Sequence, residues 1–192
     1  MKTRIIAITG GIGAGKSVVS RILTTLRFRV YDCDSRAKVL MDNSSEIKRR
    51  IAEEIASEAV VDDEIRRDLL ASVVFSDAEK LRILNSIVHH HVRCDIAETA
   101  ASCGVPVLFI ETAILYESGL DKMVEQVWEV TAPEDIRVER IINRNHCTAE
   151  QARARIESQR IAVTDPHPAV HAIINDNLTP LLPQILRRLA EI

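Results

Sequence analysis

The sequence predicts an α/β protein: a parallel five-stranded sheet flanked by helices, carrying a helical lobe and a further small segment hung on the sheet. Three observations carry that prediction. Apolar runs of strand length alternate with helical-period stretches, the mark of a parallel sheet covered on both faces. The stretch "GGIGAGKS", residues 10–17, lies between an apolar run and a helical pattern. Two long segments without strand signals, about 36–101 and 137–165, interrupt the alternation.

Taken in order, residues 4–9 are an apolar run with two β-branched isoleucines and read as a buried parallel strand. Residues 16–26 place Val18, Val19, Ile22, Leu23 and Leu26 at helical spacing. Residues 28–32, "FRVYD", alternate as a second strand. Helices are expected over 45–57, 64–74 and 77–101, the last with Leu81, Leu84, Ile87, Val88 and Val92 on one face and Asp77 at its start. Residues 104–111 read as a strand opened by Gly104 and Pro106 and ended by a carboxylate. A strand over 124–131 precedes a helix capped by Thr131, with Pro133 near its first turn. A short helix from Thr148 to residue 159, a fifth strand at 171–175 and a terminal helix from Pro180 complete the chain.

The bulk properties narrow the function. A chain of 192 residues suits one domain with an insertion and buries about 70% of its unfolded surface. A net charge of −3 argues against a protein built mainly to hold nucleic acid. No apolar run approaches the roughly 20 residues of a membrane span. A cleaved signal peptide would remove the glycine loop with it, so a cytoplasmic protein is expected. Cys33, Cys94, Cys103 and Cys147 are scattered, with no zinc-ligand spacing. The run His89, His90, His91 lacks the spacing of four that puts metal ligands on one helix face.

Gly10-x-x-x-x-Gly15-Lys16-Ser17 matches the phosphate-loop pattern, and the strand before it and helix after it are the context that pattern requires. Glycine lets successive N–H groups turn inward onto phosphate oxygens, and the following helix offers its positive end. Gly11, Ile12, Gly13, Ala14, Gly15, Lys16, Ser17 and Val18 are therefore the candidate ATP contacts. Lys16 would reach the β- and γ-phosphates, and Ser17 would ligate Mg²⁺. The sequence motifs of switch GTPases and transport ATPases are absent, and the chain is short, as small-molecule kinases are. Such kinases need a carboxylate at the acceptor hydroxyl and cations over the transferring phosphate.

Asp32 and Asp34 follow the second strand, where ligands of open α/β sheets bind. If extended, they project alike; one would orient the acceptor hydroxyl and the other hold water around Mg²⁺. The alternative is that Asp34 or Ser35 caps the next helix. After Lys122 the chain has no lysine but eight arginines. Arg137, Arg140 and Arg144 share one helix face, and Arg153, Arg155 and Arg160 follow. They form either a phosphate-binding lid or a solvated face neutralised by Glu134, Glu139, Glu150 and Glu157.

Together "AITGGIGAGKSVVSRIL", "VYDCDSRA", "RDLLASVVFSDAEKLRILNSIVHHHV", "ETAILYESGLDKMVEQVWEV", "RIINR", "RIESQ" and "IINDN" resemble the dephospho-CoA kinase family over nearly the whole chain. The resemblance implies transfer of the γ-phosphoryl of ATP to the 3′-hydroxyl of the ribose of dephospho-coenzyme A, with Mg²⁺. It makes Asp34 the general base, Arg144 a lid arginine and Arg140 a weaker one. Acceptor contacts fall on Asp32, Arg67, Phe75, His89 and Glu117 within or beside a closing lobe. His89 is read as structural or acceptor-orienting, Glu111 as a water-mediated Mg²⁺ holder, and Glu117 as a brace. The expected partners are ATP and dephospho-CoA, with no nucleic acid and no membrane, on a monomer or weak homo-oligomer. Cys33, Val18, His90, Ala113 and Val170 stand where the family usually has alanine, threonine, proline, proline and aspartate. Another small-molecule kinase, or a nucleotide-dependent binding module, would share the loop.

Overall fold

The structure is a computed structural model and describes residues 2–159 and 165–192. The chain forms two compact units, Met1–Tyr31 with Val105–Ile192, and Asp32–Gly104.

The larger unit begins with β1 (Arg4–Thr9), whose last four residues are buried, as a central strand requires. The chain then turns through the glycine loop into α1 (Lys16–Thr25) and returns as β2 (Arg29–Asp32). The second unit contributes α2 (Cys33–Asn43), α3 (Ser45–Glu54), β3 (Val60–Val61), β4 (Glu64–Ile65), α4 (Arg67–Ser76) and α5 (Ala78–Ser102). The larger unit resumes with β5 (Val107–Glu111), β6 (Gln126–Thr131), α6 (Glu134–Asn145), α7 (Ala149–Ser158), β7 (Val170–Ile174) and α8 (Leu181–Leu189). The five long strands lie in the order β2-β5-β1-β6-β7. β1 runs parallel to β5 and β6, and β6 parallel to β7.

That order puts the glycine loop at the carboxyl end of the middle strand. Beneath it the core joins Ile6, Ile8, Val19, Leu23, Phe109, Trp128 and Ile185. Phe109 stands edge-on to Phe28, with ring centroids 5.5 Å apart, and tilted against Trp128 at 5.0 Å. These rings are the aromatic part of a core otherwise built mainly of isoleucine, leucine and valine. On the outer edge Gln184 of α8 accepts a hydrogen bond from the Ile174 N–H at 2.9 Å and donates one to the Ile174 carbonyl at 2.9 Å. A side-chain amide there takes both backbone groups of the last residue of β7.

The second unit is mostly helical, with its own core of Ile47, Ile51, Ile55, Leu70, Val74 and Ile87. Asp77 caps α5 by accepting from the N–H groups of Glu79 and Lys80, as its position predicts. Arg36 on α2 grips Asp95 on α5 through two hydrogen bonds, 3.1 and 2.7 Å long. The Lys48 ammonium, buried on α3, reaches Asp63 in the β3–β4 turn at 2.9 Å.

Three local expectations change. The predicted helix over 64–74 begins only at Arg67, because residues 60–65 pair as an antiparallel hairpin turning on Asp62 and Asp63, both at positive φ. Pro133, not Thr131, is the capping residue of α6, and no side chain bonds its first turn. Thr131 is spent on β6, in register with Ile174. The Asp32–Asp34 pair is not extended: Asp32 caps α2 and Asp34 is already helical.

Candidate functional site

The phosphate loop is shaped by three glycines in the left-handed half of backbone space: Gly10 at φ 139°, Gly13 at 79° and Gly15 at 97°. Gly10 has no room for a side chain, since a Cβ would sit 2.2 Å from the Val130 carbonyl oxygen of β6. Gly15 serves as the N-cap of α1 and brings no side-chain cap. No side chain caps the first turn of α1, where the Val18 N–H donates to the Gly15 carbonyl at 3.0 Å, and the positive end of the helix adjoins the loop, an anion site by dipole. Lys16 lies along the loop, its Nζ donating to the Gly10 carbonyl at 2.8 Å. Ser17 and Val18 follow in the first turn of α1, Ser17 exposed and Val18 half-buried.

The back of the loop is held by residues far away in sequence. Arg140 on α6 donates to the carbonyls of Gly13, Ala14 and Asn175, and to the side chains of Asn175 and Asn177. The Asn175 amide, buried at the end of β7, donates to the Ala14 carbonyl at 2.7 Å. Arg137 donates to the Ile12 carbonyl at 2.9 Å. The predicted arginine face of α6 therefore divides. Arg137 and Arg140 are turned into the loop, and Arg144 is exposed at the last turn, where its Nε donates to Asn145. The family-derived role of Arg140 as a lid arginine meets a guanidinium already committed to the loop's carbonyls. Arg153 and Arg155 are exposed on α7. Arg160 lies outside the described residues.

In the second unit, Asp32 uses both carboxylate oxygens locally: Ser35 donates its N–H at 3.1 Å and its hydroxyl at 2.6 Å. Neither Asp34 nor Ser35 is the cap. Asp34 is exposed in the first turn of α2, and no hydrogen bond or ion pair ties its carboxylate to another described residue. Arg67 pairs with Asp42 at 2.6 Å. Phe75, at the end of α4, is 81% exposed, a ring held out in solvent. His89 is half-buried on α5. Burial, reinforced by His90, pushes the His91 imidazole below its ordinary pKa, and His91 Nε2 is buried without a partner. No group of three or more possible metal ligands gathers among the described residues. Glu111 ends β5 in register with Ile8 of β1, and Glu117 is exposed in the turn beyond it.

The donor set suits Mg²⁺ of the kind that arrives with a nucleotide. That ion keeps most of its waters and takes one or two protein oxygens beside phosphate oxygens. The Ser17 hydroxyl, exposed next to the loop, is such an oxygen.

The residues that sequence reasoning passed over are Asn175 and Gln159, the second of which accepts from the Ile12 N–H at 2.8 Å. Their only signal was the likeness of "IINDN" and "RIESQ" to the family, which gave them no role.

A glycine loop at the end of a central parallel strand, opening a helix with no side-chain cap, defines a phosphate-loop nucleotide-binding fold. A family model described as dephospho-CoA kinase matches residues 4–180. A dephospho-CoA kinase of Porphyromonas gingivalis is 42% identical over 183 residues, 95% of this chain and 91% of the relative. One of Bacteroides fragilis is 34% identical, over 96% of this chain and 91% of its own. Among solved structures, TT1252 from Thermus thermophilus superposes with a TM-score of 0.76 at 32% identity, covering 100% of this chain and 96% of that one. The dephospho-CoA kinase from Campylobacter jejuni shares the fold, with a TM-score of 0.66 at 24% identity over 97% and 95% of the two chains. The chain belongs to the dephospho-CoA kinase family. It is a kinase of the last step of coenzyme A synthesis, phosphorylating dephospho-CoA with ATP. No helix among the described residues is long and apolar enough to cross a membrane.

Proposed function

We propose that residues 11–18 bind the phosphates of ATP, that Ser17 ligates Mg²⁺, and that Asp34 is the general base acting on the 3′-hydroxyl of dephospho-CoA. The observation that carries this reading is the uncapped N-terminus of α1 behind three positive-φ glycines, with Lys16 lying along the same loop. Asp34 takes the hydroxyl proton as the ribose oxygen attacks the γ-phosphorus and the bond to the β-γ bridging oxygen breaks, leaving ADP. Its support is an exposed carboxylate that no described partner engages, in contrast to Asp32, whose oxygens serve as a cap. Asp32 contributes by fixing the start of α2 and so the place of Asp34.

Lys16 offsets the charge that builds on the transferring group. Arg144, exposed at the end of α6, meets that charge, while Arg140 supports the loop. Ser17 would hold Mg²⁺, and the ion would supply positive charge that offsets the phosphate oxygens and eases departure of ADP. Residues 36–101 serve as the acceptor lobe, with Arg67, Phe75 and His89 as acceptor contacts, and Glu117 of the larger unit is a further acceptor contact. The segment 137–165 serves as a lid that excludes water. The protein works in the cytoplasm as a monomer or weak homo-oligomer.

The test is direct. Incubation with ATP, Mg²⁺ and dephospho-CoA should yield coenzyme A by mass spectrometry, and Lys16→Ala should yield almost none. A Lys16→Ala protein as active as the parent would remove the loop from the mechanism.

A further inference from the structure

Ile12 is gripped on three sides by the two helices that follow β6. Its carbonyl accepts from Arg137 Nε of α6 at 2.9 Å, and its N–H donates to Oε1 of Gln159, the C-cap residue of α7, at 2.8 Å. Its side chain packs against the cluster of Val138, Ile141, Ala152 and Ile156 from the same helices. The flanking glycines complete the fit. A Cβ on Gly11 would lie 2.4 Å from Nη2 of Arg137, and one on Gly13 would lie 2.8 Å from the Arg137 carbonyl oxygen. Three consecutive loop residues thus rest on one arginine.

Two glycines around one ordinary residue make a flexible stretch, and fixing each residue costs backbone entropy of about 1–2 kcal/mol. An anion site made of backbone N–H groups binds well only when those groups already converge. We propose that Arg137 and Gln159 are positioning residues: they clamp the backbone of Ile12, hold residues 11–13 in their converged shape, and thereby set the affinity for ATP. The inference rests on the reading of residues 10–17 as the ATP phosphate site. Neither side chain needs to touch the nucleotide. Arg137 acts through the Ile12 carbonyl and the flat face it gives Gly11, and Gln159 through the Ile12 N–H.

The experiment measures ATP affinity by calorimetry, KM for each substrate, and thermal stability in the parent, Arg137→Ala, Arg137→Lys, Gln159→Ala and Lys16→Ala. Arg137→Ala should weaken ATP about tenfold, the usual worth of a lost charge-assisted hydrogen bond. Arg137→Lys should recover part of that, since an ammonium reaches one carbonyl but cannot lie flat on Gly11. Gln159→Ala, at an exposed position, should cost about threefold and leave folding intact. In the Arg137 and Gln159 variants KM for dephospho-CoA and the melting temperature should stay put. Unchanged ATP affinity in Arg137→Ala and Gln159→Ala, with Lys16→Ala still losing it, would overturn the clamp alone. A rise in both KM values together with a falling melting temperature would make Arg137 merely structural. Full ATP affinity in Lys16→Ala would overturn the loop reading, and the clamp with it.

Discussion

The phosphate loop and the start of α2 carry the two halves of the proposed chemistry, and they are built in opposite ways. The loop is tied to residues more than a hundred positions away: Val130, Arg137, Arg140, Gln159 and Asn175 all press on or bond to its backbone. At the start of α2 the bonds beside Asp34 are local, Asp32 accepting from Ser35, and the one printed long-range tie of that turn is Arg36 to Asp95 of α5. A site for a highly charged, symmetric group such as a phosphate tail depends on many backbone dipoles converging, and convergence needs long-range support. A single carboxylate needs only one helix turn to aim it.

The sharpest test of that contrast is Asp34→Asn. It should lower turnover by about 10²–10⁴-fold while ATP affinity and the melting temperature hold, because no described residue bonds to the Asp34 carboxylate. A large fall in stability would break the comparison by revealing long-range dependence at the local site. Gly10→Ala comes next, and it strikes the long-range side. A methyl group 2.2 Å from the Val130 oxygen, at φ 139°, must push β1 and β6 apart. The expected loss is about 3 kcal/mol of stability, read by denaturant unfolding, with ATP binding lost as well.

Arg36→Ala should cost the second unit about 1 kcal/mol, since the Arg36–Asp95 pair is bidentate but partly solvated. That corresponds to a drop of about 2–4 °C in melting temperature if the chain unfolds as one. The smallest effect is expected at Asp176. Backbone N–H groups of Thr179 and Leu178 hold its carboxyl below the ordinary value of 3.8. A group whose folded pKa is depressed adds stability that is complete above its unfolded pKa and lost as pH falls through the folded one. The parent should therefore lose melting temperature below about pH 4 slightly faster than Asp176→Asn, measured by parallel thermal scans.

The same contrast explains what could be read in the sequence. Strand β1, the glycine loop and α1 were legible because their signals are contiguous: an apolar run, a motif, then a helical period. The Asp77 and Thr148 caps were legible for the same reason, each lying next to the helix it starts. Pro133 took the cap expected of Thr131 because β6 runs on to Thr131, and strand pairing with β7 decides that boundary. Asp32 as a cap was missed because the strand and the helix meet with no intervening turn. The division of labour among Arg137, Arg140 and Arg144 was hidden, since helical spacing tells which residues share a face but not what that face meets. Asn175 and Gln159 carried only the family likeness of "IINDN" and "RIESQ", which gave them no role. Their meaning exists only where β7 and α7 come back to the loop.

The Gln184 amide at the edge of the sheet has a consequence for the protein as a crowded solute. An outer strand is an adhesive margin, ready to pair with any extended segment that drifts past. By satisfying both backbone groups of Ile174, beside the half-exposed side chain of that residue, Gln184 closes the end of the margin where greasy surface and hydrogen-bonding hunger would otherwise coincide. The last backbone pair of that margin is thus already taken, and a passing strand finds no partner in it.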